Sequence, residues 1–166
     1  MKKILFSFLT LLGINVGGKA QTMEKLGVGL KKTIELTSKK FERKNHAFLI
    51  NVAKDNVVVI QLIHGILIPM SLGKSINEIK NSDRIFNFSL NLPFNDYEKN
   101  KLEKFENLDV FEKFKHYDAN GTPCYSINFG TNQQEAKRIT LEIIQKVYSY
   151  KLNDTFEFEI YDQGKF

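Results

Sequence analysis

The chain has 166 residues, the length of one ordinary domain, and a hydrophobic fraction of 42% is enough to bury a core without disulfides or metal. One cysteine, Cys124, excludes an internal disulfide framework. The formal net charge is +5, but Lys2, Lys3 and Lys19 fall in a segment expected to be removed; the 24 basic residues less these three leave 21 against 19 acidic ones, a net +2. So small a charge, with basic doublets such as Lys31-Lys32 and Lys39-Lys40 and no longer run, argues against nucleic acid as the partner.

Lys2-Lys3 form a positive start, Ile4 to Val16 an apolar stretch, and Gly17-Gly18-Lys19-Ala20 ends with small residues at the −3 and −1 positions. This is the layout of a secretory signal peptide, with cleavage expected between Ala20 and Gln21. The apolar stretch falls short of the ~20 residues that span a bilayer, so no stable membrane anchor is expected after cleavage. The mature chain, residues 21–166, is expected to be one domain that is periplasmic or secreted.

Residues 22–41 read as a helix: Met23, Leu26, Leu30, Ile34, Thr37 and Phe41 recur at helical spacing, and Gly27 and Gly29 weaken its first half. Ala47–Val52 and Val57–Ile63 read as two strands of a hairpin turned at Lys54-Asp55-Asn56. Gly65–Gly73, interrupted by Pro69, reads as a loop or short edge strand; its Ile66, Leu67, Ile68, Met70 and Leu72 are the candidate partner-binding residues, as an exposed apolar patch. In Ile85–Leu92, Phe86, Phe88, Leu90 and Leu92 alternate with Asn87, Ser89 and Asn91, the pattern of a half-buried strand ended by Pro93. Asn95-Asp96 caps a short helix reaching about Phe105, with Tyr97, Leu102 and Phe105 as its apolar contacts.

Val110–Tyr117 reads as a strand, although the three-residue spacing of Phe111 and Phe114 leaves a helix open; Asp118–Gly121 reads as a tight turn, and Cys124–Phe129 as the paired strand. Thr131 and Gln134 have capping-box spacing at the head of a helix whose buried stripe is Ala136, Ile139, Ile143 and Val147. Thr155–Tyr161 is a final strand with Phe156, Phe158 and Ile160 inward and Glu157 and Glu159 outward. The expected fold is therefore α+β, a mostly antiparallel sheet with helices packed on one face, following the N-terminal signal peptide.

The residues that carry chemistry are scattered. His46, His64 and His116 do not share the spacing that places two imidazoles on one helix face. Asp118-x-Asn120-Gly121 resembles half of a calcium loop, but the twelfth position, which needs a bidentate acid, is Phe129. Cys124 reads as a small buried hydrophobe; as a reactive thiol it needs a base, and His116 is the candidate nearest in sequence. No nucleophile elbow or phosphate-cradling glycine loop occurs. No cofactor is implied, and no catalytic function is expected.

The order of elements carries one resemblance. A strand at Phe86–Leu92, Pro93 and a short polar helix, a hairpin ending at Phe129-Gly130, a helix from Thr131 to Tyr148 and a strand from Phe156 to Tyr161 follow a first helix and hairpin. In this order, over residues 22–162, the chain resembles the type III secretion chaperone/YbjN-like superfamily. That resemblance implies an α+β domain, often a homodimer, that binds protein segments and performs no chemistry; the export signal departs from it, since many such chaperones work in the cytosol. The expected function is that of an exported, non-catalytic binding or adaptor protein of the bacterial envelope with a protein partner. The alternative is a small periplasmic enzyme or ligand carrier using a pocket between helix and sheet.

Overall fold

A computed structural model describes residues 17–166. The charged and apolar parts of the expected signal segment, residues 1–16, lie outside the described residues. The last four residues before the expected cleavage point begin a strand, β1 (Gly17–Lys25). It runs across that point, pairing Ala20 with Ile160 and Gln21 with Glu159.

Helix α1 starts at Leu26 and runs to Phe41, four residues later than the helical spacing suggests. Thr22 and Met23 belong instead to β1, where Met23 is 66% exposed. Pairing with a partner strand from the far end of the chain overrides the local period there. No side chain caps α1; its first two amides donate to the carbonyls of Asp154 and Leu152, at 2.9 and 3.3 Å, in the turn that leads into the last strand.

Hairpin strands β2 (His46–Lys54) and β3 (Val57–Ile63) follow, turned by Asp55 and Asn56, both left-handed, with φ of 52° and 63°. That geometry matches the twist of the flanking strands and suits Asp and Asn. The apolar segment after β3 is neither loop nor strand: it forms a short helix, α2 (Leu67–Ser71). Pro69 is tolerated because it sits in the first turn, where its missing N–H had no intrahelical partner. A single turn of helix, α3 (Asn81–Arg84), precedes β4 (Ser89–Pro93). The strand expected from Ile85 begins only at Ser89, just after Phe88, which exchanges backbone hydrogen bonds with Phe129 and Gly130.

Asn95 caps the next turn through Tyr97 N–H, and α4 (Lys99–Glu106) follows. Tyr97, expected as an apolar contact, is 99% exposed, while Phe105 is fully buried. Residues 111–113 form a 3₁₀ turn in place of the first part of an expected strand, which explains the three-residue spacing of Phe111 and Phe114. Strands β5 (Lys115–Ala119) and β6 (Thr122–Asn128) then form a hairpin through Asn120 and Gly121, both at positive φ. Helix α5 (Gln133–Lys146) is capped by Asn132, which accepts from Glu135 N–H at 3.0 Å, and not by Thr131. The last strand, β7 (Thr155–Lys165), returns to the start of the chain.

Among the described residues, seven strands form one antiparallel sheet in the order β1-β7-β2-β3-β4-β6-β5. One face is apolar. Phe158, Val52, Ile60, Leu92 and Tyr125 make one cross-strand row; Ile160, Ile50, Leu62, Leu90 and Ile127 make the next. Helices α1 and α5 pack on this face through Leu26, Leu30, Ile34, Phe41, Ala136, Ile139, Ile143 and Ile144. The long helices thus share one face as expected, but the other face is not bare. Ala47, Leu49 and Ile63 there meet Ile66, Leu67 and Ile79 in a second, smaller core.

Gly29 faces Phe158, and a Cβ on it would lie 2.1 Å from the ring; one on Gly27 would meet only Leu152, at an ordinary 3.7 Å. The two glycines therefore have opposite roles. Gly29→Ala should destabilise the fold by about 2 kcal/mol, the overpacking cost less the gain in helix propensity. Gly27→Ala should be neutral or stabilising by up to about 1 kcal/mol. Urea unfolding midpoints of the two variants check the opposite signs.

Candidate functional site: the polar face of the sheet

The five residues singled out as an apolar patch separate in the structure. Ile66 and Leu67 are 0% and 1% exposed and belong to the second core, because the chain folds back over Ile63 as a helix and turns these two inward. They are not available to a partner. Ile68 is half-buried, and only Met70 and Leu72, at 38% and 44%, are exposed.

The outstanding feature of this face is polar. At one register, Glu159 of β7, Asn51 of β2, Gln61 of β3, Asn91 of β4, Ser126 of β6 and Lys115 of β5 stand side by side across the sheet. Glu159, Asn51, Gln61 and Asn91 are all buried. Gln61 donates to Asn51 Oδ1 at 2.7 Å, Asn51 donates to Glu159 Oε2 at 3.0 Å, and the Tyr161 hydroxyl donates to the same oxygen at 2.8 Å. From the other side, the Tyr117 hydroxyl donates to Asn91 Oδ1 at 2.7 Å. Buried amides and a carboxylate are tolerable only when bonded in this way, and such a network fixes strand register because a one-residue slip would turn it into the Phe-rich core. Asn91 Nδ2 is buried without a partner among the described residues.

Next to this row, α2, α3 and the strands β4, β5 and β6 border an open cavity of about 270 Å³, lined by Gly65, Ile68, Pro69, Asp83, Ser89, Lys113, Lys115, Ser126, Ile127 and Asn128, of which the two lysines and Asn128 are exposed. Its inner wall is fixed by Asn87. The Asn87 Oδ1 accepts from Gly65 N–H at 2.9 Å and from the Ser89 hydroxyl at 3.2 Å, while its Nδ2 donates to the Ile85 carbonyl. A Cβ on Gly65 would lie 2.5 Å from that oxygen, so this close approach requires glycine.

The histidines stay apart. His46 pairs with Asp162 at 3.0 Å. His116 lies against Tyr125, with ring centroids 5.0 Å apart. It neighbours the Cys124–Tyr117 pair in sequence but alternates to the opposite face of the sheet, so it is no base for the thiol. Cys124 is buried, and burial pushes its pKa up to about 11, the wrong direction for a nucleophile. Asp118 serves the turn by accepting from Gly121 N–H at 2.7 Å. Among the described residues, no group of three His, Cys, Asp or Glu side chains is placed to hold a metal ion, and no helix is long and apolar enough to cross a membrane. No family model, curated protein or solved structure matches the chain.

His64 is the most perturbed base. It is 1% exposed, packed between Phe48 and Phe166, and its Nδ1 accepts from Ile66 N–H at 3.2 Å, while Nε2 has no partner among the described residues. Burial lowers its pKa from 6.5 to about 4. Between these values the unfolded chain binds a proton that the folded chain refuses, so stability is full above pH 6.5 and falls as the pH drops toward 4. The His64 share of that loss should approach about 3 kcal/mol. In His64→Asn, the stability lost between pH 7 and pH 4 should be smaller by that amount, as read by urea unfolding at a series of pH values.

Proposed function

We propose that the chain is an exported, non-catalytic binding or adaptor protein of the bacterial envelope, which engages a protein partner through the rim of α2. The observation that carries this reading is the pair Met70 and Leu72, large apolar side chains held in the open at the end of a short helix that Leu67, with Ile66 before it, anchors in the second core. Anchoring Ile66 and Leu67 gives the rim a fixed shape, which lowers the ordering cost of binding. The high pKa of Cys124 and the isolation of the three histidines favour binding over chemistry. The likeness in element order to the type III secretion chaperone/YbjN-like superfamily, whose members bind protein segments, supports the same reading, and the signal-like residues 1–20 support the envelope location.

A second reading is a carrier of a small ligand. The cavity of about 270 Å³ between α2 and the sheet favours it, because hydroxyl, carboxamide and charged groups converge there with an apolar wall.

Crosslinked pull-down of the full-length tagged protein from its host's envelope fraction separates the two. The adaptor reading expects one stoichiometric partner with wild type and its loss with Met70→Asp/Leu72→Asp, at an unchanged melting temperature. Retention of the partner by that double variant removes α2 as the contact, and the absence of any partner removes the adaptor reading.

A further inference from the structure

Two opposite charges line the cavity without meeting. Asp83, half-buried on α3, and Lys115, on β5, take part in no ion pair among the described residues, either with each other or with a third group. Lys113 also lines the cavity and reaches only Glu135, at a long 3.7 Å. Ser126 and Ser89 line the same cavity, and Ile68 and Pro69 supply an apolar side. The wall at Gly65 and Ser89 is held rigid by Asn87, so the site is built before any ligand arrives.

This pattern selects a dipolar ligand. A simple anion would be attracted by the lysines but repelled by Asp83; a simple cation would meet the reverse. A molecule with an ammonium for Asp83 and a carboxylate for Lys115 and Ser126 satisfies both, and the volume suits something much smaller than a drug-sized ligand. We propose that this cavity takes a free α-amino acid, an inference that rests on the ligand-carrier reading and gives it a substrate class.

The test is a ¹⁵N-correlation NMR titration of the full chain with L-glutamate, with glutarate, which lacks only the ammonium, and with inorganic phosphate. The expected result is saturable shifts of the Gly65, Ser89, Ser126 and Asn128 amides with glutamate, and binding weaker by about tenfold for glutarate, the loss of one charge-assisted hydrogen bond. Lys115→Ala should weaken glutamate by about the same factor. Asp83→Asn should bring glutamate and glutarate to similar affinity; the dispersion of each variant's spectrum reports that it is folded. If glutarate or phosphate shifts the same amides as strongly as glutamate in wild type, the amino-acid assignment is wrong while the carrier reading stands. If none of the three probes shifts those amides, both are wrong.

Discussion

The insertion of β7 between β1 and β2 is the constraint on which the rest of the structure depends. This strand closes the longest loop in the fold, joining residues 155–165 to residues 17–25 on one side and 46–54 on the other. It places Phe156, Phe158 and Ile160 against α1, and Glu159 at the head of the polar row. It brings Asp162 to His46, and the turn before it supplies the carbonyls that satisfy the first amides of α1. Loop closure over most of the chain carries an entropic cost, but that cost grows only logarithmically with length. Two ladders and a buried phenylalanine pair offset it.

The same strand separates the two faces chemically. Alternation along β7 sends phenylalanine to one side and glutamate to the other, and its neighbours follow at the same register. The helix-covered face is a dense aromatic and aliphatic core, with Phe41, Phe48, Phe86 and Phe88 within 5.1–5.6 Å of one another along the chain of contacts. The other face combines a small apolar core, a bonded row of amides and a cavity with unmatched charges. Recognition is better served by the second face, because its polar groups are held in position by their neighbours and several still have bonding capacity.

Much of the architecture was legible in the residues. The hairpin at Asp55-Asn56, the turn at Asn120-Gly121 and the capped helix after Asn95 rest on local chemistry that the structure reproduces; the alternating segment Phe86 to Leu92 becomes a strand only from Ser89, and it is buried on both faces, Ser89 and Asn91 included, where a half-buried strand was expected. What was not legible depended on distant partners. Thr22 and Met23 fit a helical stripe, but β7 draws them into a strand. Gly29 looks like a weak point of α1 until Phe158 is placed against it. Ile66 and Leu67 look exposed until the second core forms beneath them. The polar row was half visible: Asn51 and Gln61 interrupt apolar runs, and Asn87, Ser89 and Asn91 alternate with phenylalanine and leucine. Sequence spacing alone does not show that Asn51, Gln61 and Asn91 share one register with Glu159, since four strands from distant parts of the chain must first align.

Native-state hydrogen exchange tests the central place of β7 most directly. The account predicts that the amides of Phe158 and Ile160, and those of Ile50 and Val52 beside them, are protected to the full free energy of unfolding and share it with the α1 amides of Leu30 and Ile34. If β7 instead opens at a clearly lower free energy while β2, β3 and α1 stay protected, the last strand is an appendage to a core that stands without it, and the account is contradicted.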